Sequence, residues 1–343
     1  MKQHLNTLYV TTQGAYLSRE GDAVLVRIEK ETRLRLPIHT LDGIVCFGRV
    51  SCSPSLMGLC GKRGLAISFL STYGRFLARV QGPVSGNVLL RREQYRRADD
   101  LEASAAIAGP IVAAKVANSR TVLQRALRDH PEAEGAAAIE DAVRKLALHI
   151  DDLRRDPPLD SLRGIEGDAA RAYFAAFDSM VTAQKGDFFF AQRSRRPPLD
   201  NLNALLSFLY TLLVHDAASA LEAVGLDPAV GYLHRDRPGR PSLALDLMEE
   251  FRAFLADRLA LTLVNQRQIQ GKGFTVAESG AVWMDDATRK TVLIAYQKRK
   301  QDEITHPFLG ERTTVGLLLL LQARLLSRYL RRDLDGYPPF IAK

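Results

Sequence analysis

Cysteine is scarce in this sequence: three residues in 343, at Cys46, Cys52 and Cys60. Three thiols cannot all pair with one another, and their spacing matches neither a CxxC motif nor a zinc-ribbon pattern. A disulfide scaffold and a thiolate zinc site are therefore both disfavoured. We expect free, buried thiols.

Long apolar runs are also missing. The longest, residues 315–321, contains Gly316 and is far shorter than the roughly 20 residues that cross a bilayer. The first residues, MKQHLNTLYV, lack the basic start and apolar segment of a secretory signal. We therefore expect a cytoplasmic protein with no membrane partner.

Acidic residues are outnumbered by basic ones. The chain has 47 Lys and Arg against 39 Asp and Glu, a net charge of +8. Of this excess, +6 falls within residues 1–85, which hold 11 Lys or Arg and 5 Asp or Glu. An anionic partner is favoured, nucleic acid first, although a merely solvated basic face remains an alternative.

The composition, 46% apolar and 25% charged, is that of a globular protein, and the length predicts two domains. Short β-branched or alternating runs separated by turn residues predict a small, β-sandwich-like domain over 1–82. The runs are 8–10, 23–26, 34–36, 43–45 and 66–69, with a short helix at 55–62.

A change of period follows a linker predicted at 83–88, which is rich in Gly, Pro and Ser. Helical spacing then predicts a larger all-α domain over 89–343, so the expected fold class is α+β. The stretch 87–129 predicts one or two long helices, with a bend expected at Gly109-Pro110. The further predicted helices are 133–155, 199–224, 242–268 and 313–332.

One basic connection stands out before the third of these helices. The segment QRSRRPPLD cannot be helical through Pro197-Pro198, and it brings Asp200 to the expected N-cap position. It fits a loop beside a nucleic-acid path and equally an ordinary exposed loop.

The most informative segment is GYLH at His234, followed by RDRPGRP and the helix SLALDLMEEFR with Ser242 as its expected N-cap. Asp246 and Glu249 are three residues apart, so their carboxylates project from one face, which also packs inward. Two such carboxylates are costly to bury together unless a cation accompanies them. A lone histidine and a solvated acidic pair remain the alternatives.

A further acid lies upstream in LRGIEG, where Glu166 stands beside Gly167 at the start of an expected helix. Glycine permits close approach of a ligand or backbone, whereas a helix-capping carboxylate is the alternative interpretation. Together, Glu166, His234 and Glu249 would offer oxygen and nitrogen ligands suited to Mg²⁺ or Mn²⁺ and to phosphodiester chemistry.

At these motifs the chain resembles the CRISPR-associated endonuclease and integrase, the first-numbered Cas protein family. LRGIEG, RPPLDNLNALLSFLY, GYLH and SLALDLMEEFR match in order along nearly the whole chain. The C-terminal AVWMDDATRKTVLIAYQKRK and TTVGLLLLLQARLL are similar to the subtype I-C branch.

The resemblance implies that Glu166, His234 and Glu249 are catalytic metal ligands, with Glu249 where many relatives have Asp. It makes Asp246 an accessory acid, and Tyr210 a packing residue near the site. Arg235, Arg237 and Arg240 are candidates for DNA phosphate contacts, with loop solubility as the alternative.

The implied activity is insertion of captured DNA fragments into a CRISPR array by 3′-OH transesterification. The implied partners are a second copy of the chain, double-stranded DNA, and the small second-numbered Cas protein, which would bridge two dimers. The 1–82 domain would contact the second copy and also DNA. A general metal-dependent nuclease on branched DNA and a catalytically silent DNA-binding scaffold are the alternatives.

Overall fold

The computed structural model describes residues 6–72, 76–80, 82, 88–132 and 134–342. The predicted linker 83–88 lies outside them except for Val88. The chain divides into two compact units. One comprises Met1–Gly86 with Met284–Asp302, and the other Asn87–Trp283 with Glu303–Lys343.

The described strands and helices are numbered in chain order. The strands are β1 (Asn6–Val10), β2 (Tyr16–Glu20), β3 (Ala23–Ile28), β4 (Glu31–Pro37), β5 (Leu41–Phe47), β6 (Ser51–Cys52), β7 (Ala66–Leu70), β8 (Phe76–Val80), β9 (Phe274–Val276), β10 (Val282–Met284), β11 (Glu303–Thr305) and β12 (Arg312–Thr314). The helices are α1 (Pro54–Lys62), α2 (Val88–Asp99), α3 (Leu101–Asp129), α4 (Ala136–Leu153), α5 (Leu159–Ala175), α6 (Asn201–Ala223), α7 (Ser242–Glu249), α8 (Arg258–Asn265), α9 (Asp286–Gln301) and α10 (Leu318–Leu330).

Two four-stranded sheets build the first unit. In one, β1, β5 and β7 are parallel and β8 is antiparallel to β7; in the other, β4, β3 and β2 are antiparallel and β6 is parallel to β2. Leu17 and Val24 from the second sheet share one core with Ile44 and Ile67 from the first and with Leu56 of α1. The predicted fold class, α+β with a small β-sandwich-like domain, is confirmed.

The cysteines of this unit are free, as expected. Burial raises the pKa of the Cys46 thiol and of the Cys60 thiol to about 12. Half-buried Cys52 has its pKa raised to about 11 for the same reason. These thiols are therefore protonated, apolar components of the β core, and their pKa values are unsuited to metal binding at neutral pH.

The segment Met284–Asp302 belongs to the first unit, whereas the predicted helical domain ran without interruption from 89 to 343. The reason lies in α9: Gln297 Nε2 donates to the Thr7 carbonyl at 3.0 Å, and buried Arg289 places its guanidinium 5.9 Å from the ring centre of Phe47. An amphipathic pattern shows that a helix packs against a core, but it does not identify which core.

Two N-caps set the starts of long helices in the second unit. Asp100 Oδ1 accepts hydrogen bonds from Glu102 N and Ala103 N, so the predicted helix 87–129 breaks there and not at Gly109-Pro110, which lies inside α3. Asp200 caps α6 through Asn203 N at 2.7 Å, as predicted.

The predicted helix 242–268 is interrupted. It consists of α7, a π-helical segment at Arg252–Asp257, and α8. Ser242 is not the N-cap: Pro241 holds that position, and the Ser242 hydroxyl donates to the Arg235 carbonyl at 3.2 Å. The predicted all-α domain also contains short antiparallel strands, β11 and β12 among them.

One described helix, α6, is long and apolar enough to span a bilayer by length and composition alone. Of its most apolar window, 67% is buried within the protein. Polar residues such as Asn203, which is fully buried, interrupt its apolar run, so no continuous stretch is visible in the sequence. The burial is that of a core helix.

Candidate active site

The two predicted acids Glu166 and Glu249 converge on one cation, the ammonium of Lys115. Lys115 lies on α3, Glu166 on α5 and Glu249 at the end of α7. Lys115 Nζ hydrogen-bonds to Glu166 Oε1 and lies 2.7 Å from Glu249 Oε2. The structure therefore brings these two predicted residues together around a lysine that the sequence interpretation missed.

A signal for Lys115 is present in the sequence. Its neighbours in α3 are apolar, from Val112 through Ala114 to Val116, and all three are fully buried. A lysine within such a stretch must be buried as well, and a buried ammonium requires nearby carboxylates. The pattern predicts an ion pair without identifying its partners.

Glu166 occupies the interior of α5, since the helix begins seven residues earlier at Leu159. The alternative of a capping carboxylate at a helix N-terminus is therefore wrong. A Cβ added at Gly167 would meet no atom within 4 Å, so no protein group approaches this glycine closely. With 28% of its side chain exposed, Glu166 is the solvent-facing member of the pair.

Glu249 is almost completely buried, with 3% of its surface exposed. Arg252 Nη1 lies 2.7 Å from its Oε1, while Lys115 faces its Oε2. Burial raises the pKa of this carboxyl, but the positive charges of Arg252 and Lys115, with a contribution from His234, outweigh burial and hold the pKa below its ordinary value. Glu249 is thus an anion at neutral pH despite its burial.

Asp246 is fully buried and orients the loop that carries His234. Its Oδ2 accepts hydrogen bonds from Tyr232 N at 2.6 Å and Leu233 N at 3.0 Å. Its Oδ1 accepts from His234 N at 3.0 Å and contacts His234 Nδ1 at 2.7 Å. With Nδ1 engaged, Nε2 is the imidazole nitrogen available to a metal, the arrangement in which a carboxylate fixes a metal-binding histidine.

Gly231 allows the same loop to pass close to α7. A Cβ there would lie 2.8 Å from Asp246 Oδ2 and 2.8 Å from the carbonyl carbon of Ser242. Any other residue would force the backbone away from Asp246. The glycine of the GYLH motif is therefore required by the close approach of two segments.

The three candidate DNA-contacting arginines lie in the loop after His234. Arg235 and Arg237 are exposed, and Arg240 is partly buried. Arg235 Nη2 lies 3.3 Å from Asp160 Oδ1 of α5, an exposed ion pair of little stabilising value. All three follow His234 in one loop, and two of them are exposed to solvent.

Tyr210 is a buried packing residue. Its hydroxyl donates to Asp257 Oδ1 at 2.5 Å, and the Arg252 guanidinium lies 4.3 Å from its ring centre. Burial raises the pKa of the Tyr210 hydroxyl above its ordinary value. The residue therefore positions Arg252 against Glu249, in agreement with the predicted packing role.

Among the residues described, no three His, Cys, Asp or Glu side chains lie close enough together to hold a metal ion in this arrangement. Lys115 stands between the two carboxylates instead. Their shared contact with one cation is nevertheless the property that a metal site needs, and carboxylate oxygens are ligands that Mg²⁺ and Mn²⁺ prefer. The residues fit such an ion once the ammonium withdraws.

The sequence interpretation also missed Glu250, the residue after Glu249. It is fully buried and accepts hydrogen bonds from Tyr337 OH at 2.5 Å, Phe340 N at 2.7 Å and Gln322 Nε2 at 3.0 Å. Burial raises its pKa to about 7, although these hydrogen bonds oppose the shift. The end of α7 is thereby tied to the C-terminal segment.

Replacing Asp246 by Asn should destabilise the protein by about 3 kcal/mol. Both carboxylate oxygens accept from backbone N–H groups, so the amide NH₂ of Asn would face an N–H donor in either orientation. Urea unfolding of the full chain measures the loss. Asp168→Asn, at an exposed position on α5, is the matched control and should leave the midpoint unchanged. Equal midpoints for Asp246→Asn and the unchanged protein would contradict the orienting role.

Glu250→Gln should remove a pH dependence of stability. The native carboxyl has a pKa of about 7 against an ordinary 4.5, so between these values only the unfolded chain releases the proton. Raising the pH through this window therefore destabilises the native state, by about 3 kcal/mol in total. Gln is neutral throughout.

Urea unfolding from about pH 4.5 to about pH 7.5 provides the comparison. The stability of the unchanged protein relative to Glu250→Gln should fall as the pH rises. Glu140→Gln, an exposed position on α4, is the control and should show no such trend. A difference between the unchanged protein and Glu250→Gln that is independent of pH would refute the interpretation.

Known proteins are similar to this chain along most of its length. The family described as "CRISPR associated protein Cas1" matches residues 8–298. The chain is 56% identical over 341 residues to "CRISPR-associated endonuclease Cas1 1" of Chlorobaculum tepidum, covering 99% of each protein. It is 52% identical over 351 aligned positions to "CRISPR-associated endonuclease Cas1 2" of Rhodospirillum rubrum, covering 100% of each.

Solved structures share the fold. A CAS1 protein from Thermotoga maritima has a TM-score of 0.81 at 24% identity, with 95% of this chain and 97% of that chain covered. A casposase bound to integration product has a TM-score of 0.81 at 24% identity, with 97% and 93% covered. The family match over most of the sequence, together with relatives above half identity, shows that the chain belongs to the Cas1 family of CRISPR-associated proteins.

Proposed function

We propose that this chain is a divalent-metal-dependent DNA endonuclease and integrase that inserts captured DNA fragments into a CRISPR array. The observation that carries the proposal is the convergence of Glu166 and Glu249 on a single cation. His234, oriented by Asp246, also acts electrostatically on Glu249. The name "endonuclease" given to relatives at 56% and 52% identity supports nuclease chemistry.

Glu166, His234 and Glu249 are the proposed ligands of Mg²⁺ or Mn²⁺. When bound, the ion would supply polarisation of a phosphoryl oxygen and a lowered pKa for the attacking hydroxyl. Arg252 keeps Glu249 ionised, and Asp246 holds the imidazole in one orientation. Arg235, Arg237 and Arg240 would hold the DNA backbone beside the ligands.

The proposed reaction exchanges one phosphodiester for another. The 3′-OH of the captured fragment attacks a phosphodiester next to the CRISPR repeat, and the displaced strand leaves with a new 3′-OH. No high-energy cofactor is consumed, since the number of phosphodiester bonds is unchanged. Positioning and charge stabilisation are then the main contributions of the protein.

The proposed partners are a second copy of the chain, the small second-numbered Cas protein and double-stranded DNA. The second copy would contact the chain through the β-rich unit. The β-rich unit would also contact DNA. We further place the chain in the subtype I-C branch on its C-terminal motifs, and place its action in the cytoplasm. The basic balance of the sequence, +8, supports a polyanionic substrate.

Single replacement of Glu166, His234 or Glu249 by Ala should reduce strand joining at least a hundredfold and leave duplex binding within about threefold, since ligands to a catalytic metal act on chemistry more than on docking. A labelled fragment with a free 3′-OH and a supercoiled repeat plasmid, with the small partner present, provide the assay. Glu140→Ala and His149→Ala on α4 are matched controls.

The assay also separates the alternatives. Cleavage without joined products, with the partner added, would replace the integrase by a general nuclease on branched DNA. Binding without metal-dependent chemistry in the unchanged protein would support a silent DNA-binding scaffold. Equal loss of duplex binding in all three variants would make these residues structural.

Replacing Arg235, Arg237 and Arg240 together by Ala should weaken DNA binding and flatten its salt dependence. Loss of three phosphate contacts lowers the slope of log affinity against log salt by about 3. The unchanged protein should lose on the order of 40-fold through these contacts between about 50 and about 200 mM salt.

Binding isotherms at several salt concentrations give the slope. A triple Ala variant at Arg144, Arg154 and Arg155, each paired with a nearby aspartate on or next to α4, is the control for net charge. The same slope for both triple variants would assign the arginines after His234 to loop solubility.

A further inference from the structure

Lys115 lies between the two carboxylates that are proposed to bind the metal. Its side chain is 10% exposed, and its ammonium contacts one oxygen of Glu166 and one of Glu249. A buried ammonium is retained only where carboxylates compensate for its lost hydration. Lys115 therefore occupies the space to which both proposed ligands point.

The four charged groups in direct contact around Glu249 balance without any added ion. Glu166 and Glu249 contribute two negative charges, and Lys115 and Arg252 contribute two positive charges in direct contact with them. Arg252 binds the far oxygen of Glu249 and is held by Tyr210, so it does not block the space between the carboxylates. A divalent cation arriving beside Lys115 would meet an ammonium within a few ångströms in a poorly hydrated site, where like charges repel strongly.

We propose that Lys115 is an internal competitor of the metal: its ammonium holds the two carboxylates together in the metal-free protein and leaves the space between them when a divalent cation binds. The inference rests on the proposed function, which assigns Glu166 and Glu249 as ligands. It adds a residue that sets the metal affinity and keeps the metal-free site assembled.

The length of the lysine side chain allows its ammonium to move away from the carboxylates. The unbranched arm of lysine rotates about several bonds, so its ammonium can move by several ångströms while α3 stays in place. Exchange of one cation for another then requires a side-chain rotation and no movement of a helix.

Manganese binding by the full chain without DNA tests the proposal. Lys115→Met keeps most of the side-chain volume and removes the charge, so Mn²⁺ affinity measured by calorimetry should tighten about tenfold or more. Lys145→Met on α4, an exposed lysine paired with Asp141, is the control and should leave the affinity unchanged. Equal or weaker Mn²⁺ binding by Lys115→Met would overturn the proposal.

Thermal unfolding supplies a second readout if the variant is unstable. Without metal, Lys115→Met should unfold at a lower temperature, because two carboxylates lose their shared cation. Adding Mn²⁺ should raise its midpoint more than that of the unchanged protein. If Mn²⁺ does not restore the unfolding midpoint of the variant, the ammonium and the ion do not occupy the same position, and the proposal is wrong.

A further pair of variants separates the effect of charge from that of hydrogen bonding. Lys115→Gln retains a donor between the carboxylates without a charge, whereas Lys115→Arg retains the charge. Mn²⁺ should bind more tightly to the Gln variant than to the Arg variant. Equal affinities would show that charge competition is not the cause.

Failure of the inference is distinguishable from failure of the proposed function. Glu249→Gln should abolish Mn²⁺ binding in both the unchanged and the Lys115→Met background. If Mn²⁺ binds equally well with and without Glu249, the ligand assignment itself is wrong. If Glu249 is required but Lys115→Met does not change the affinity, the assignment stands and the competition does not.

Discussion

The ionisation of Glu249 is the constraint on which the site depends. A carboxylate with 3% exposure remains charged only because Arg252 contacts one oxygen and Lys115 lies beside the other. Removing one partner of such a buried arrangement costs about 3–5 kcal/mol, since the remaining charge is left uncompensated. The positions of α3, α7 and the segment after it are thus linked through one side chain, and Glu166 on α5 is joined to them by the same ammonium.

The π-helical segment that follows Glu249 contributes to this arrangement. An α-helix advances 3.6 residues per turn, and a π-helical segment shifts the faces of the residues that follow it. Arg252, at the start of the segment, reaches back to Glu249 and stacks on Tyr210. Asp257, at its end, accepts the Tyr210 hydroxyl. The interruption closes a ring of contacts behind the carboxylate, and segments of this kind are frequent at functional sites.

Much of this architecture is predictable from the sequence, because local patterns determine it. Short β-branched or alternating runs predict β1, β3, β4, β5 and β7 of the first unit but miss β2, β6 and β8, and Asp200 predicts the start of α6. Contacts distant in sequence are not predictable in the same way. Lys115 and Glu166 are 51 positions apart, and α9 joins a β-rich unit that ends some 200 residues before it. Apolar periodicity indicates that such segments are buried but carries no information about their partners.

The choice between Asp246 and Glu249 shows the same limit of sequence interpretation. Both are buried acids three residues apart, and residue type and spacing make them equivalent candidates for a metal. Their environments differ. Asp246 is surrounded by backbone N–H groups and His234 Nδ1, donors fixed in the fold, so a metal could replace them only by unfolding the loop. Glu249 instead faces the ammonium of Lys115, which lies at the end of an unbranched side chain and not on the backbone. The nature of the existing partner, more than the identity of the acid, is therefore the physical reason for proposing Glu249 as the ligand and Asp246 as the orienting acid.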